Sequence, residues 1–192
     1  YVTDLPIAEI SDFPDHPFKV RMDEEMEQMV ESVRERGVLS PVLVRPMPDG
    51  GYQMVSGHRR KFASELAELP TVPCIVRELT DDEAIIIMVD SNLQRERVLP
   101  SEKAFAYKMK LDAMRRQAGR PSKNNSATVL QNFEGKTSRE ILAEQSGESH
   151  EQIRKYIRLT NLVPELLDMV DNTVLKEKGT LQMALRPAVE LS

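Results

Sequence analysis

The sequence is poor in cysteine, histidine and aromatic residues, and it has no long apolar run. One cysteine, Cys74, and three histidines occur in 192 residues, without any tryptophan. A single cysteine excludes an internal disulfide framework and suits a reducing cytoplasm, and so few Cys and His side chains argue against a zinc site. We interpret Cys74 as a buried small hydrophobic residue. Without a transmembrane or signal-peptide pattern, we expect no membrane association.

The length and the hydrophobic content permit one or two compact domains. A hydrophobic fraction of 40% supports a real core in a chain of this size. Because the chain begins at Tyr1 rather than Met and stops at Ser192 inside a predicted helix, we expect it to be part of a longer protein.

The net charge of −5 conceals a strong asymmetry along the chain. Residues 1–102 carry 11 Lys and Arg against 20 Asp and Glu, and residues 161–192 carry 3 against 5. Residues 103–160, by contrast, carry 12 basic against 6 acidic residues. Because local charge governs binding over distances of about 10 Å, the basic middle segment is the candidate for contact with a polyanion.

The stretch 50–63 (Gly-Gly-Tyr-Gln-Met-Val-Ser-Gly-His-Arg-Arg-Lys-Phe-Ala) predicts a strand, a tight turn at Ser56-Gly57 and a helix. The apolar residues before the turn fit a strand that is entered through a Gly-Gly turn, and those after it recur at helical spacing. The predicted strand positions are Tyr52, Met54 and Val55, and the predicted helix face carries Phe62, Leu66 and Leu69.

Arg59 and Arg60 fall in the first turn of that predicted helix. Basic residues are unfavourable there unless an anion is near, because the helix dipole is positive at this end. Unbonded backbone N–H groups together with forked guanidinium contacts are the means by which proteins hold phosphate. We therefore interpret the turn as a phosphate-binding site, the alternative being a solvated basic helix start.

Elsewhere the chain alternates helical and extended patterns before it becomes wholly helical. The predicted elements are a helix over 23–36 ended by Gly37, a strand over 38–39 and 42–44, a strand over 71–79, a helix that begins at 81 and ends near 91–95, a long helix from 101 to about 117, and helices over 162–170 and 175–191. The long helix is expected to present an outward basic face of Lys103, Lys108, Lys110, Arg115 and Arg116.

Residues 118–136 are predicted to be a flexible linker, since they are rich in Gly, Pro, Ser and Asn and have few apolar residues. Within them, residues 119–123 (Gly-Arg-Pro-Ser-Lys) resemble a minor-groove hook, although a single Gly-Arg-Pro tripeptide is a weak signal and favours a solvated basic loop.

Residues 137–160 predict two capped helices separated by a glycine turn. Thr137 precedes Glu140 by three residues and Ser149 precedes Gln152 by three, which are capping-box spacings, and Gly147 ends the first helix. This is the pattern of a helix-turn-helix, in which the start of the second helix meets base edges. The alternative is a helical hairpin used only for packing.

The predicted DNA contacts follow from that arrangement. Gln pairs well with adenine and Arg with guanine or phosphate, while hydroxyl groups at a helix start can bind phosphate. The candidate residues are Thr137, Ser138, Ser149, His150, Gln152, Arg154, Lys155 and Arg158.

Three stretches together resemble ParB-type partition proteins. Residues 57–63 (Gly-His-Arg-Arg-Lys-Phe-Ala) are similar to the family's Gly-Glu-Arg-Arg-x-Arg-Ala box, residues 91–96 (Ser-Asn-Leu-Gln-Arg-Glu) to its Glu-Asn-x-Gln-Arg box, and residues 17–46 to its early proline-rich segment. These stretches occur in the family's order and precede the predicted helix-turn-helix.

The resemblance implies an α/β N-terminal domain of the ParB/sulfiredoxin type that binds CTP with Mg²⁺, followed by an all-α helix-turn-helix domain. We expect these domains at 1–98 and 99–192, with the helix-turn-helix near 137–160. By matching position, the implied nucleotide-binding residues are Arg21, Ser56, Gly57, His58, Arg59, Arg60, Asn92, Gln94 and Arg95, with Asn92 also a candidate for the nucleotide's Mg²⁺.

Three departures from the family pattern bear on nucleotide chemistry. His58 and Ser91 stand where the family has Glu, and Ser40 stands where it usually has Gln. Loss of two carboxylates removes oxygen ligands that Mg²⁺ prefers, so at most weak CTP hydrolysis is expected. The chain therefore resembles a divergent member of the family.

The function implied is sequence-specific binding of double-stranded DNA in plasmid, mobile-element or chromosome partition, as a CTP-gated clamp. The expected partners are DNA, a second copy of the chain in a homodimer and a ParA-type ATPase. The alternatives are a transcription regulator without nucleotide gating and a ParB-like nuclease using acids such as Asp81, Asp82 and Glu83, which a helix-start role also explains. A sulfiredoxin-like thiol mechanism lacks its nucleophile, since Gly57 precedes His58-Arg59.

Overall fold

The computed structural model describes residues 2–95, 97–118, 137–176 and 179–192, in two compact units. The first unit is Tyr1–Asn92 and the second is Leu93–Ser192. Within the described residues, no helix combines the length and the apolar character that a membrane crossing requires. Of the predicted linker, Ala118 is the last residue of the helix Pro100–Ala118, and the rest, including the Gly-Arg-Pro segment, lies outside the described residues.

The first unit is built on a five-stranded mixed sheet. Its strands are β1 (Val2–Pro6), β2 (Ile10–Ser11), β3 (Val42–Pro46), β4 (Tyr52–Ser56) and β5 (Thr71–Val76), in the order β1-β5-β3-β4-β2. A short 3-10 helix over Ile7–Glu9 separates β1 from β2. The pairings β1–β5 and β3–β4 are antiparallel, whereas β3–β5 and β2–β4 are parallel. Central strand β3 carries Val42 and Val44, both fully buried, as its apolar propensity predicts.

Three helices belong to this unit: α1 (Glu24–Arg36), α2 (His58–Leu66) and α3 (Asp81–Leu93). Helix α1 begins where the sequence predicts, because Asp23 accepts a hydrogen bond from the Met26 N–H at 2.8 Å, and it ends at Gly37 with φ +69°. Met26 and Val33 of α1 pack with Ala63 of α2 in one apolar cluster. This packing places the start of α1 near the start of α2, where the candidate phosphate site lies.

All the regular elements of the second unit that the structure describes are helices. They are α4 (Pro100–Ala118), α5 (Ser138–Ser146), α6 (His150–Arg158), a 3-10 turn over Leu159–Asn161, α7 (Pro164–Leu175) and α8 (Leu185–Leu191). Helix α4 is the centre of this unit, since Tyr107 and Leu111 pack against Leu142 of α5 and Ile153 of α6. A second cluster joins Ala104 to the apolar residues of α7 and α8, including Val170 and Val189.

Several predicted segments of the first unit differ from the structure. Val38-Leu39 form no strand, and Leu39 is 77% exposed, because β3 begins only after Pro41. The predicted apolar face of α2 is correct for Phe62, which packs in the cluster with Ala63, but not for Leu66, which is 41% exposed at the end of the helix. Leu69 packs in the same cluster from the loop that follows.

The predicted basic face of α4 and the last predicted helix also need correction. Lys110 is 1% exposed and donates to Gln145 Oε1 at 2.7 Å, and Lys103 is half-buried and pairs with Glu148 at 2.6 Å. Periodicity assigns charged residues to solvent, but both amines here find acceptors near the end of α5. In place of the helix predicted over 175–191, the described part of that range contains the last residue of α7, Leu175, and the short helix α8.

Candidate functional site

The turn between β4 and α2 is closed by Gly57 in a conformation that favours glycine. Gly57 has φ +107° and ψ 22°, and its carbonyl oxygen accepts hydrogen bonds from the N–H groups of Arg60 (2.9 Å) and Lys61 (3.0 Å). A Cβ at this position would lie 2.7 Å from Val42 Cγ1. The helical N–H groups ahead of Arg60 have no acceptor within the helix, so the turn has the backbone arrangement of a phosphate-binding loop.

Arg60 is bound to the neighbouring loop rather than extended into solvent. Its Nη1 donates to the carbonyl oxygens of Ser40 at 2.6 Å and Pro41 at 2.7 Å. Burial lowers the pKa of Arg60 from its ordinary value, although an arginine remains charged throughout the useful pH range. In this arrangement Arg60 fixes the loop before β3 against the start of α2.

Arg59 is held by the acidic start of α1. Its Nη1 lies 3.2 Å from Glu25 Oε2, and its Nη2 lies 3.4 Å from Asp23 Oδ1, the same oxygen that caps α1. The Arg59 side chain is 24% exposed, and its Nε is buried without a hydrogen-bond partner among the described residues. The guanidinium is therefore positioned at the turn by carboxylates that a phosphate would have to displace.

His58 and Lys61 face inward beside these arginines. The ring of His58, which is 6% exposed, lies against that of His16, with centroids 3.9 Å apart and planes tilted by 41°. Lys61 is 7% exposed and pairs with Asp12 at 2.8 Å and Glu65 at 3.0 Å. Burial lowers the pKa of Lys61, but the hydrogen bonds to the two carboxylates outweigh this and raise it overall. Both side chains thus connect α2 to the segment of residues 12–16.

The structure brings together only part of the predicted nucleotide set. Residues 56–60 are contiguous in the turn, and Arg21 is half-buried just before α1. Asn92, near the end of α3, is 3% exposed, and its Nδ2 donates to the Met88 carbonyl oxygen at 2.7 Å. Gln94 and Arg95 follow α3 and belong to the second unit.

The acids at the start of α3 have structural partners. Glu83 accepts hydrogen bonds from the backbone N–H and the hydroxyl of Thr80, both at 2.9 Å, and the Glu83 N–H returns one to that hydroxyl at 3.3 Å. Asp81 pairs with the buried Arg45 at 2.7 Å. In the part of the chain that the structure describes, no three or more His, Cys, Asp or Glu side chains cluster as metal ligands would.

In the second unit, α5 begins with the predicted capping box, and α6 begins with the predicted Ser149 cap but without the reciprocal half of a box. Thr137 and Glu140 form a full capping box at the start of α5, which ends at Gly147 with φ +69°. Ser149 caps α6 by accepting the Gln152 N–H at 3.1 Å. Two residues, Glu148 and Ser149, therefore separate the glycine from the next helix, and the reversal is tight.

Helix α6 is amphipathic, with one buried apolar side and one exposed polar side. Ile153 is buried against α4, while Ser149, His150, Arg154 and Arg158 are exposed at the helix start or along its outer side. Gln152 and Lys155 are half-buried on that outer side, and at the start of α5 Thr137 is exposed and Ser138 half-buried. The predicted residues of α6 therefore form one largely polar, basic surface that solvent reaches.

A groove of about 560 Å³ lies beside this surface, between α6 and α8. Its charged and amide lining residues include Gln152, Arg154, Lys155 and Arg158 from α6, with Arg186 and Glu190 from α8. The α8 residues were not predicted as contacts. The Pro187 that follows Arg186 is a helix-start signal that could have drawn attention to them.

Comparison with known proteins gives a consistent assignment. Residues 1–93 match the family model of the ParB N-terminal domain. The chain is 34% identical over 170 residues to the chromosome-partitioning protein Spo0J of Thermus thermophilus, covering 88% of this chain and 55% of that protein. It is 41% identical over 115 residues to the chromosome-partitioning protein ParB of Caulobacter vibrioides, covering 59% and 38%.

The chain thus spans about half, or less, of the length of these curated relatives. Among solved structures, it is similar to the C-terminally truncated ParB of Caulobacter crescentus complexed to the centromeric parS site. The TM-score is 0.51 at 25% identity, over 98% of this chain and 97% of that chain. The ParB-domain match and these relatives agree with the α/β sheet of the first unit, and the chain belongs to the family of ParB-type partition proteins.

Proposed function

We propose that this protein binds double-stranded DNA in a sequence-specific manner and acts in the partition of a chromosome, plasmid or mobile element. The observation that carries the proposal is the exposed, capped start of α6, where Ser149, His150 and Arg154 face solvent beside a buried Ile153. Such a helix presents its first turn to base edges while its apolar side stays packed. The relatives named for chromosome partitioning and the relative complexed to parS support the same function.

In this proposal α5 and α6 form a helix-turn-helix near 137–160, within a DNA-binding domain over 99–192 that follows a ParB-like domain over 1–98. Thr137 and Ser138 at the start of α5 bind phosphate, and Gln152 with Arg154 reads bases. Lys155 and Arg158, further along α6, contact the sugar–phosphate backbone. The two caps and the glycine turn support this assignment.

Gel shifts over a salt series, with duplexes containing and lacking a parS site, test the DNA proposal. We expect Arg154→Ala to weaken binding about tenfold and to reduce discrimination between the duplexes, because a good base contact contributes about 1–3 kcal/mol. Arg34→Ala is a matched control, since each arginine is exposed and lies near a Glu three residues earlier on its helix. Equal binding by the two variants would reject the proposed role of α6.

We further propose that the β4–α2 turn binds the triphosphate of CTP, as the family resemblance implies. The left-handed glycine at the start of α2 and the buried Arg59 Nε fit a ligand of this kind. Backbone N–H groups of the turn with Arg59 and Arg60 hold phosphates, and Arg21, Ser56, His58, Asn92, Gln94 and Arg95 are the further candidates. A bound triphosphate supplies concentrated negative charge that offsets these arginines.

Magnesium, in this proposal, is bound mainly by the nucleotide's own phosphates, with Asn92 as the candidate protein ligand. Mg²⁺ commonly keeps several waters and takes one or two protein oxygens. Because positions 58 and 91 carry His and Ser instead of Glu, this proposal expects weak CTP hydrolysis or none. Measuring phosphate release from CTP, with and without parS duplex, distinguishes weak hydrolysis from none.

Isothermal titration with CTP and Mg²⁺ tests the nucleotide proposal. Because Arg60 also braces the Ser40-Pro41 loop, Arg59→Gln is the cleaner variant, and we expect it to weaken binding about tenfold. Arg36→Gln at the end of α1 serves as the control, since its guanidinium is exposed. Binding that survives Arg59→Gln unchanged would remove Arg59 from the site.

One observation favours an alternative, a DNA-binding regulator without nucleotide gating. Arg60 is bound to two carbonyl oxygens and Arg59 to two carboxylates, so the arginine pair also has a purely structural use. No heat on CTP addition, combined with normal DNA binding, would select this alternative.

A homodimer and a ParA-type ATPase complete the proposed partners, both on the ground of resemblance. Paired half-sites in DNA usually reflect a two-fold protein, so the dimer is the natural reader of a palindromic site. Light scattering of the complex with duplex DNA measures whether two chains bind one site.

A further inference from the structure

The groove between α6 and α8 has an excess of positive charge at its mouth. Arg154, Lys155, Arg158 and Arg186 line it, against Glu151 and Glu190. Four of its charged residues are thus cations from two different helices. A concave surface with an excess of one charge concentrates the opposite charge, and here it favours an anionic ligand.

The α8 wall of the groove is anchored while its charged side is available. Ala188 and Val189 are buried in the cluster with Leu159 and Val170, which fixes α8 against the rest of the unit. Arg186, by contrast, is 92% exposed, and its Nε lies 3.5 Å from Glu190 Oε1. An exposed pair at this distance is weak, so a phosphate can replace the carboxylate as the partner of Arg186.

We propose that this groove holds a stretch of the DNA sugar–phosphate backbone, with Arg186 of α8 as a phosphate-binding residue. The inference rests on the proposed function, in which the first turn of α6 meets base edges. A helix in the major groove has a phosphate backbone beside it, and a second cationic wall fixes the register of the helix on the duplex. Arg186 therefore adds affinity and orientation but no base preference.

The same geometry gives Glu190 an opposing role. Its carboxylate competes with phosphate for Arg186 and adds negative charge to the groove. Removing that charge, as in Glu190→Gln, both releases the guanidinium and reduces repulsion of DNA. Arg186→Ala and Glu190→Gln are consequently expected to change affinity in opposite directions.

The test uses the whole chain and a random-sequence duplex about two helical turns long, which isolates phosphate contacts. We expect Arg186→Ala to weaken binding about three- to tenfold and to reduce the salt slope by about 0.9, the value for one phosphate contact. Glu190→Gln should strengthen binding about two- to threefold. The control is Arg115→Ala on α4, an exposed arginine 3.9 Å from Asp112 on its own helix and outside the groove.

The outcomes separate this inference from the function on which it rests. If the unaltered protein binds no duplex, the proposed function fails. If it binds, and Arg186→Ala behaves as Arg115→Ala does, the groove is not a backbone site and only the present inference is overturned. The inference would likewise be overturned if Arg186→Ala abolished the binding of inorganic triphosphate in the groove but left duplex binding unaffected. Circular dichroism confirms that each variant is folded.

Discussion

Replacing Gly57 by alanine tests whether the β4–α2 turn is packed as the structure shows. Two separate penalties are expected. The φ of +107° is unfavourable for any residue with a Cβ, at about 1–2 kcal/mol. In addition, the new Cβ would lie 2.7 Å from Val42 Cγ1 and 3.0 Å from Val42 Cβ, and overpacking of this kind costs about 1–3 kcal/mol. Gly57→Ala should therefore lower the free energy of unfolding of the first unit by about 2–5 kcal/mol.

Gly50→Ala is the matched control for this experiment. Gly50 also has a positive φ, +94°, in the same unit, but a Cβ there would meet no atom within 4 Å. Its cost should be only the conformational part, about 1–2 kcal/mol. The difference between the two variants thus measures the contacts of the new Cβ, which are with Val42 and with Arg60 Nη2 at 3.2 Å.

A double-mutant cycle identifies Val42 as the source of the clash. Val42→Ala removes Cγ1, so the penalty of Gly57→Ala should shrink by about 1–2 kcal/mol in that background. Hydrogen exchange at the β3–β4 amides reports the stability of this unit, and urea titration by circular dichroism gives an independent value. The reasoning is refuted if Gly57→Ala and Gly50→Ala cost the same within about 0.5 kcal/mol, or if Val42→Ala leaves the difference unchanged.

Three further predictions concern a buried carboxylate, a buried thiol and the acidic start of α1. Asp171 is 2% exposed, and its carboxylate accepts hydrogen bonds from the Ser101 N–H at 2.9 Å and the Ser101 hydroxyl at 2.5 Å. Asp171→Ala should therefore lower the free energy of unfolding of the second unit by about 2–4 kcal/mol in urea titrations. A loss under about 0.5 kcal/mol would contradict this. Burial raises the pKa of Cys74 from 9.0 to about 11, so the folded state keeps a proton that the unfolded state releases. The free energy of unfolding should therefore fall by up to about 2 kcal/mol between about pH 9 and pH 11. Urea midpoints measured across that range should show a smaller fall in Cys74→Ala. Glu25→Gln should raise the affinity for CTP severalfold in isothermal titration by weakening the competition for Arg59, and unchanged or lower affinity would instead give Glu25 a positioning role.

Sequence reasoning located the helix ends accurately where the signal is local. Asp23 and Gly37 bound α1, and the capping residues Thr137 and Ser149 start α5 and α6 as predicted. In each case the two hydrogen-bonding groups lie within four residues of one another. Such short-range geometry is satisfied in any fold that contains the helix, and for this reason it can be read without knowledge of the fold.

The sequence predicts less well which side of a helix is buried, because burial depends on elements that are distant along the chain. Lys110 has the composition and spacing of a solvent-facing residue, yet α5 supplies an acceptor 35 positions away and buries it. Leu66 is apolar, yet it is 41% exposed where α2 ends. Periodicity describes one helix, whereas burial is decided by what packs against it.

The sequence by itself determined the family boxes, the glycine turn before Arg59 and Arg60, and the paired caps of α5 and α6. Only the tertiary structure decided what those arginines touch, namely two carboxylates at the start of α1 and two carbonyl oxygens before β3. It alone also placed Arg186 beside α6. The physical reason is range: caps and turns form between near neighbours, whereas ion pairs, buried amines and grooves require segments that only the folded chain brings together.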